Sequence, residues 1–307
     1  MKFETKLRRQ CERCTESSIK TYIANIKALA KLAGLEGAPD NDDSWLTDGL
    51  LAQIKQEPGT RYKRFVIAGR KALAAYGTKG AKLTQWAEAV VDATVKYEKI
   101  RNQQKRSARE AANWPEDGYQ ALQRLARKLY EEHAQRIYET TEPEYSTATE
   151  LYMLQRHFVI LFYAWHALRG DLAEARILPK GHNYIYQKDD RWHIHIGTHK
   201  TAKSHGAIDF ALAEPVSEIL GRFLPYVRAR TNHGFLLTTL RTNNRMNRRD
   251  MLKMIRNTTE QHLGKRLGVQ MIRVLRVTEA AEEINEATEL RAQMAHGPLT
   301  QFQYVSK

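Results

Sequence analysis

Apolar residues recur at helical spacing through most of the first hundred positions. Ile19, Tyr22, Ile23, Ile26, Leu29 and Ala30 step along one face of a segment that Ser17 or Ser18 can cap and that Gly34 ends. Turn residues from Gly37 to Asp43 predict a loop, and a short helix over about 46–56 stops at Pro58-Gly59. The next helix spans about 60–76, where Arg61, Lys63, Arg64, Arg70 and Lys71 interleave with Phe65, Val66, Ile67 and Leu73. After Gly77-Thr78-Lys79-Gly80 a long helix is expected, with Trp86, Ala89, Val90 and Ala93 on its apolar side.

The pattern changes from about position 113. Helices near 116–137 and 147–166 precede three segments rich in β-formers: Tyr184-Ile185-Tyr186, Trp192 to Ile196, and Ala207 to Leu212. Helices return at about 214–229, 247–262, 268–284 and 287–296. The expected fold is mainly α, with a small antiparallel β-sheet in the C-terminal domain. A helical domain over 1–107 would include a basic linker from about 95, and a second domain would cover 113–307. The stretch Lys96 to Arg106 reads equally as the solvated end of a helix.

Composition narrows the partner. With 42% hydrophobic residues the 307-residue chain reads as an ordinary globular protein, large enough for two cores. Its 49 Lys and Arg against 35 Asp and Glu leave a charge of +14, which favours a polyanion. Nucleic acid is the expected partner, double-stranded DNA once the motifs below are added, and no membrane role is expected because no apolar run approaches a spanning length. The start lacks the apolar core of a secretory signal, so an intracellular location with the DNA is expected. Cys11 and Cys14 form a Cys-x-x-Cys pair without a second ligand pair or a βαβ context, and are expected to be reduced thiols. The eleven histidines show no ligand spacing, and His193 and His195 read as surface residues of a strand. No metal or cofactor is expected.

The candidate chemistry is phosphoryl transfer without metal, which needs a nucleophile, cations for the transition state and an acid for the leaving hydroxyl. His296 stands eight positions ahead of Tyr304 in the C-terminal stretch Ala295 to Tyr304. A tyrosine suits reversible cleavage because its phosphate ester conserves the bond for rejoining. Arg273 and Arg276 would share a helix face beside Val269, Ile272 and Leu275, within a segment 241–273 that holds nine Lys and Arg against two acids. Lys200, in Thr198 to Gly206 between two strands, could donate a proton to a leaving alkoxide, with Lys203 as competitor and a plain polar turn as the alternative. Arg169, in Leu168-Arg169-Gly170-Asp171, follows an apolar helix, and Gly170 implies a break that aims it into a pocket with Asp171 as its orienting partner. A structural Arg–Asp pair at a helix end is the other reading.

In this order Arg169, Lys200, Arg273/Arg276, His296 and Tyr304 resemble the tyrosine recombinase (phage integrase) family. The resemblance covers most of the chain and is closest in style to integrases of eukaryotic DNA viruses, virophages and related mobile elements. The matching motifs are Arg169-Gly170-Asp171, Lys200 to Gly206, and Met294-Ala295-His296 with Gln301 to Tyr304. It implies a helical core-binding domain and a catalytic domain that clamp duplex DNA, four protomers on paired sites, and no cofactor. Tyr304 would be the nucleophile, Arg169 and Arg276 would clamp the non-bridging oxygens, Lys200 would be the acid, His296 would bond the phosphate, and Asp171 would support. Two departures stand out: Arg273 occupies a position where the family usually has histidine, and Asp171 follows Arg169 by two residues, where bacterial members space the pair by three. Arg176 is the fallback for the first arginine. Telomere resolvases, type IB topoisomerases and a recombinase-derived DNA-binding protein are the rival readings.

Overall fold

The computed structural model describes residues 2–12, 14–103, 105–240 and 244–293, with the side chains of Arg101, Lys203 and 282–293 outside that description. His296 and Tyr304 therefore lie outside the described residues. The protein is mainly helical, with one three-stranded antiparallel sheet in its C-terminal half. It divides into two compact units, Met1–Arg106 and Ser107–Lys307.

In the first unit, α1 (Phe3–Gln10) precedes α2 (Glu16–Leu32), α3 (Asp48–Ile54), α4 (Gly59–Tyr76) and α5 (Ala81–Asn102). Helix α1 is absent from the sequence reading because it contributes only Phe3 and Leu7 to the core, too few turns to display a period. The cap of α2 is Thr15, not Ser17 or Ser18: its hydroxyl accepts from the Ser18 amide at 3.2 Å. Helical spacing still buries Ile19, Ile26, Leu29 and Ala30 on one face. Helix α4 ends at Gly77, whose φ of +81° suits a residue without a Cβ. Helix α5 runs on to Asn102, so most of the stretch expected as a linker is helix.

Helices α4 and α5 approach closely because Gly69 lacks a side chain. Trp86 of α5, fully buried, occupies the space where a Cβ would stand. Tyr62 of α4 donates to Asp92 of α5 at 3.0 Å, a polar lock at the other end of the same pair.

The second unit begins with α6 (Ala108–Ala112). Helix α7 (Gln120–Leu129) passes through a π-helical turn at Tyr130–Ala134 into α8 (Gln135–Thr140). The expected start near 116 gives way to a turn, in which the Gly118 amide donates to the Pro115 carbonyl and Gly118 has φ +56°. Helix α9 (Ala148–Trp165) starts on a reciprocal cap: Thr147 accepts from the Glu150 amide, and the Glu150 carboxylate accepts from the Thr147 amide. Eleven of its residues are buried, including Phe158, Phe162 and Tyr163, which makes it the axis of this core.

Strands β1 (Asn183–Lys188), β2 (Arg191–Ile196) and β3 (Ile208–Ala211) pair in chain order. Asp189 and Asp190 make the first turn with φ of +50° and +59°, as a tight two-residue hairpin requires. Alternation sends Ile185, Ile194 and Ile196 into the core. The opposite face carries Tyr184 stacked on His195 at 4.8 Å, and Asp209 accepts from Tyr186 and pairs with His195 at 2.8 Å. Helix α10 (Ala202–His205) is a short turn between β2 and β3, and α11 (Glu214–Arg230) and α12 (Arg248–Leu263) follow. Helix α13 (Val269–Gln293) is continuous where two helices were expected, since no glycine or proline interrupts it.

Two histidines enter this core neutral. His166 accepts from the Ala213 amide at 3.0 Å, and burial pushes its pKa down to about 4. Burial does the same to His157, also to about 4, with the Arg222 charge adding to it. The unfolded chain takes up these protons near its ordinary pKa of about 6.5 and the fold refuses them, so stability present above that pH is lost as pH falls toward 4. Urea midpoints of the second unit are expected to fall across that window. His157→Phe should remove part of the dependence. An unchanged slope would contradict the buried neutral state of His157.

Candidate functional site

Arg169 is placed by the abrupt end of α9. The helix stops at Trp165, and the chain extends through Arg169 (φ −71°, ψ −179°) into a 3-10 turn, Gly170–Glu174. The Tyr163 hydroxyl donates to the Arg169 carbonyl at 2.8 Å, which fixes the main chain there. The guanidinium Nη1 then donates to Thr201 Oγ1 at 3.0 Å. Arg169 and the Lys200-Thr201 turn, about thirty residues apart in sequence, thus stand in direct contact.

His199 continues this connection. Its Nε2 lies 2.9 Å from the Gly206 carbonyl, which can only accept, so Nε2 carries the proton. The other nitrogen, Nδ1, then accepts from Thr201 Oγ1 at 3.3 Å, while that hydroxyl accepts from Arg169. The directions are mutually consistent and close the 199–206 loop onto Arg169. Lys200 is exposed beside this relay. The side chain of Lys203 lies outside the described residues.

Asp171 does not pair with Arg169. It is buried, and its Oδ1 faces Arg248 Nη1 at 3.3 Å. Arg248 opens α12, whose cap is Asn247, and its Nε lies 2.8 Å from where a Cβ on residue 170 would be. Gly170 therefore serves as the floor under Arg248, a reason for glycine distinct from the chain break expected there. The Arg248 side chain remains 47% exposed, enough to present guanidinium donors outward while Asp171 anchors it. Sequence reasoning missed Arg248, because its only signal was membership of the basic 241–273 segment. Arg176 is occupied structurally: it stacks on Phe235 at 4.3 Å, and its amide and carbonyl bond Asn183 and Ile185.

Arg273 and Arg276 lie on α13 beside the buried Val269, Ile272 and Leu275. Arg273 donates to Gln270 at 3.3 Å. Arg276 pairs with Glu279 at 2.7 Å, and its guanidinium stands 5.5 Å over the Tyr119 ring. The Tyr119 hydroxyl donates to the Tyr163 carbonyl at 2.8 Å, and the Tyr163 hydroxyl holds Arg169. A run of contacts therefore links Arg276 to the same end of α9 that carries Arg169. Burial pushes the Tyr119 phenol up to about 12, with Arg276 opposing, and raises Tyr163 further, so both act as neutral donors. Arg273 bonds neither Arg169 nor Lys200. Arg169, Arg248 and Arg276 thus stand on three separate elements, with Asp171 against Arg248 and Glu279 against Arg276. A guanidinium is the side chain best suited to hold two oxygens of a phosphodiester.

Among the described residues, no group of three or more His, Cys, Asp or Glu side chains converges to hold a metal ion, and no helix is long and apolar enough to cross a membrane. Comparison with known protein families and with curated proteins gives no match to this chain.

Proposed function

We propose that this protein is a tyrosine recombinase or integrase that breaks and rejoins duplex DNA through a 3′-phosphotyrosyl intermediate. The first unit would be its helical core-binding domain and the second its catalytic domain. The observation that carries the reading is the bond from Arg169 to Thr201, which places two motifs of the phosphoryl-transfer reading side by side. The Tyr119–Tyr163 bridge that brings Arg276 to the same helix end supports it.

In this mechanism the Tyr304 phenol gives its proton to solvent water as its oxygen attacks phosphorus, and the bond to the 5′-oxygen breaks. Lys200 gives its proton to that leaving oxygen. Arg169 and Arg276 hold the non-bridging oxygens as charge grows on them, and His296 donates to the phosphate. For Arg276 to do this, the phosphate must compete with Glu279 for its guanidinium. Arg273 can donate a hydrogen bond but is a poor base for the tyrosine proton, because guanidinium stays charged. Attack by a 5′-hydroxyl of a second strand on the phosphotyrosine reverses these steps and exchanges partners. Four protomers on two sites, acting with the DNA inside the cell, would complete the reaction. Arg273 at the usual histidine position favours one second reading, a recombinase-derived protein that binds DNA and cleaves weakly or not at all.

A duplex nicked just past the cleavage position separates these readings, because the short 5′-terminated fragment diffuses away and traps the adduct. The expected result is a covalent protein–DNA species that maps to Tyr304 after proteolysis and is lost in Tyr304→Phe. Tight binding without adduct would support the second reading instead. Supercoil relaxation by a monomer without paired sites would favour a topoisomerase.

A further inference from the structure

The cysteine pair was read from sequence as two reduced thiols without a role, and its geometry says more. Cys11 closes α1, and Cys14 stands directly ahead of Thr15, the cap of α2. The Cys14 amide donates to the Cys11 carbonyl at 2.8 Å, the bond that joins the first and fourth residues of a turn. Such a turn holds its first and fourth Cα atoms within about 7 Å, and a disulfide spans about 4.4–6.8 Å. Neither cysteine is bridged, and the Cys14 thiol and the Lys71 ammonium of α4 are the polar groups that act on the Cys11 thiol. Cys11 is buried against the core of the first unit, whereas Cys14 is half-buried.

We propose that Cys11 and Cys14 form a modification site, a vicinal dithiol that a small-molecule disulfide such as oxidised glutathione converts reversibly into an internal disulfide. Cys14 is the accessible partner. Its thiolate attacks one glutathione sulfur, the glutathione disulfide bond breaks, and the released glutathione thiolate takes up the proton that Cys14 shed. Cys11 then loses its proton and attacks the Cys14 sulfur, and the second glutathione leaves with that proton. The protein gives up two electrons and two protons, and one glutathione disulfide becomes two glutathione thiols. Burial pushes the Cys11 thiol up, and the Lys71 ammonium opposes this, so Lys71 is placed to steady the Cys11 thiolate during the second step. Among the described residues no third ligand completes a metal site around the pair.

The bridge would lock the corner between α1 and α2 and is independent of the DNA chemistry. The chain holds only these two cysteines, so the products are unambiguous. The test is to treat the full-length protein with oxidised glutathione at neutral pH, quench with N-ethylmaleimide and measure the intact mass. The expected species has lost two hydrogens, carries no maleimide and is restored by dithiothreitol. Cys11→Ser should instead retain one glutathione on Cys14, and Cys14→Ser should react little, because only the buried thiol remains. Lys71→Met should slow release of the second glutathione. A wild-type protein that keeps a stable glutathione adduct, takes up two maleimides after the treatment, or links between chains would overturn the proposal.

Discussion

Arg169→Ala is expected to slow covalent adduct formation on the nicked duplex by about 10²–10³-fold, the usual cost of removing one fixed donor from a developing oxyanion. Duplex binding at constant salt should change by less than about tenfold, since one phosphate contact among many is lost. Arg169→Lys should recover little of the rate. A single ammonium cannot hold Thr201 and a phosphate oxygen at once in the fork geometry that the guanidinium has at this position. Thr201→Val tests the anchor separately: the cation stays but loses its partner, so the rate should fall by less than in Arg169→Ala. Single-turnover adduct kinetics and a binding titration on the same substrate provide both readouts. Wild-type cleavage by Arg169→Ala would refute its role in the clamp.

Gly69→Ala should have the largest effect on stability. A Cβ at residue 69 would overlap three atoms of the Trp86 ring, which is itself fully buried. Overpacking of this kind costs about 1–3 kcal/mol and sometimes more. In a unit of this size that corresponds to a melting temperature lower by about 4–8 °C for each kcal/mol. The partner substitution Trp86→Leu should restore part of the loss in the double variant, because it vacates the clash. It also removes a buried indole N–H that has no partner among the described residues. Calorimetry of the single and double variants checks both. If Gly69→Ala melts with the wild type, the close α4–α5 approach is not a feature of the folded protein.

Long periodic segments were legible from the chain alone. In α2, α4, α9 and α11 the spacing of large apolar residues is the cause of burial, so the period and the element coincide. The three strands were legible for the same reason at a period of two. Boundaries were less so, because a cap is decided by one side-chain geometry: Thr15 competes with Ser17 and Ser18 in sequence and wins by where its hydroxyl points. The π-helical turn at Tyr130–Ala134 left no local mark either.

The candidate site divides along the same line. Residue types and order marked Arg169, Lys200, Arg273 and Arg276 as chemistry-bearing, while His296 and Tyr304 fall outside the described residues. Which groups meet was not written in that order. Asp171, two residues from Arg169, turns away to Arg248, while Arg169 reaches across to Thr201. Local period and composition are enough to set the helical and strand segments, the excess of positive charge and the reactive side chains available. Tertiary structure alone decided that Arg248 sits over Gly170, that Tyr119 and Tyr163 tie α13 to the end of α9, and that Gly69 must be bare for Trp86. Those contacts join positions tens of residues apart, and their energies depend on distances of a few ångströms that arise only when the elements pack.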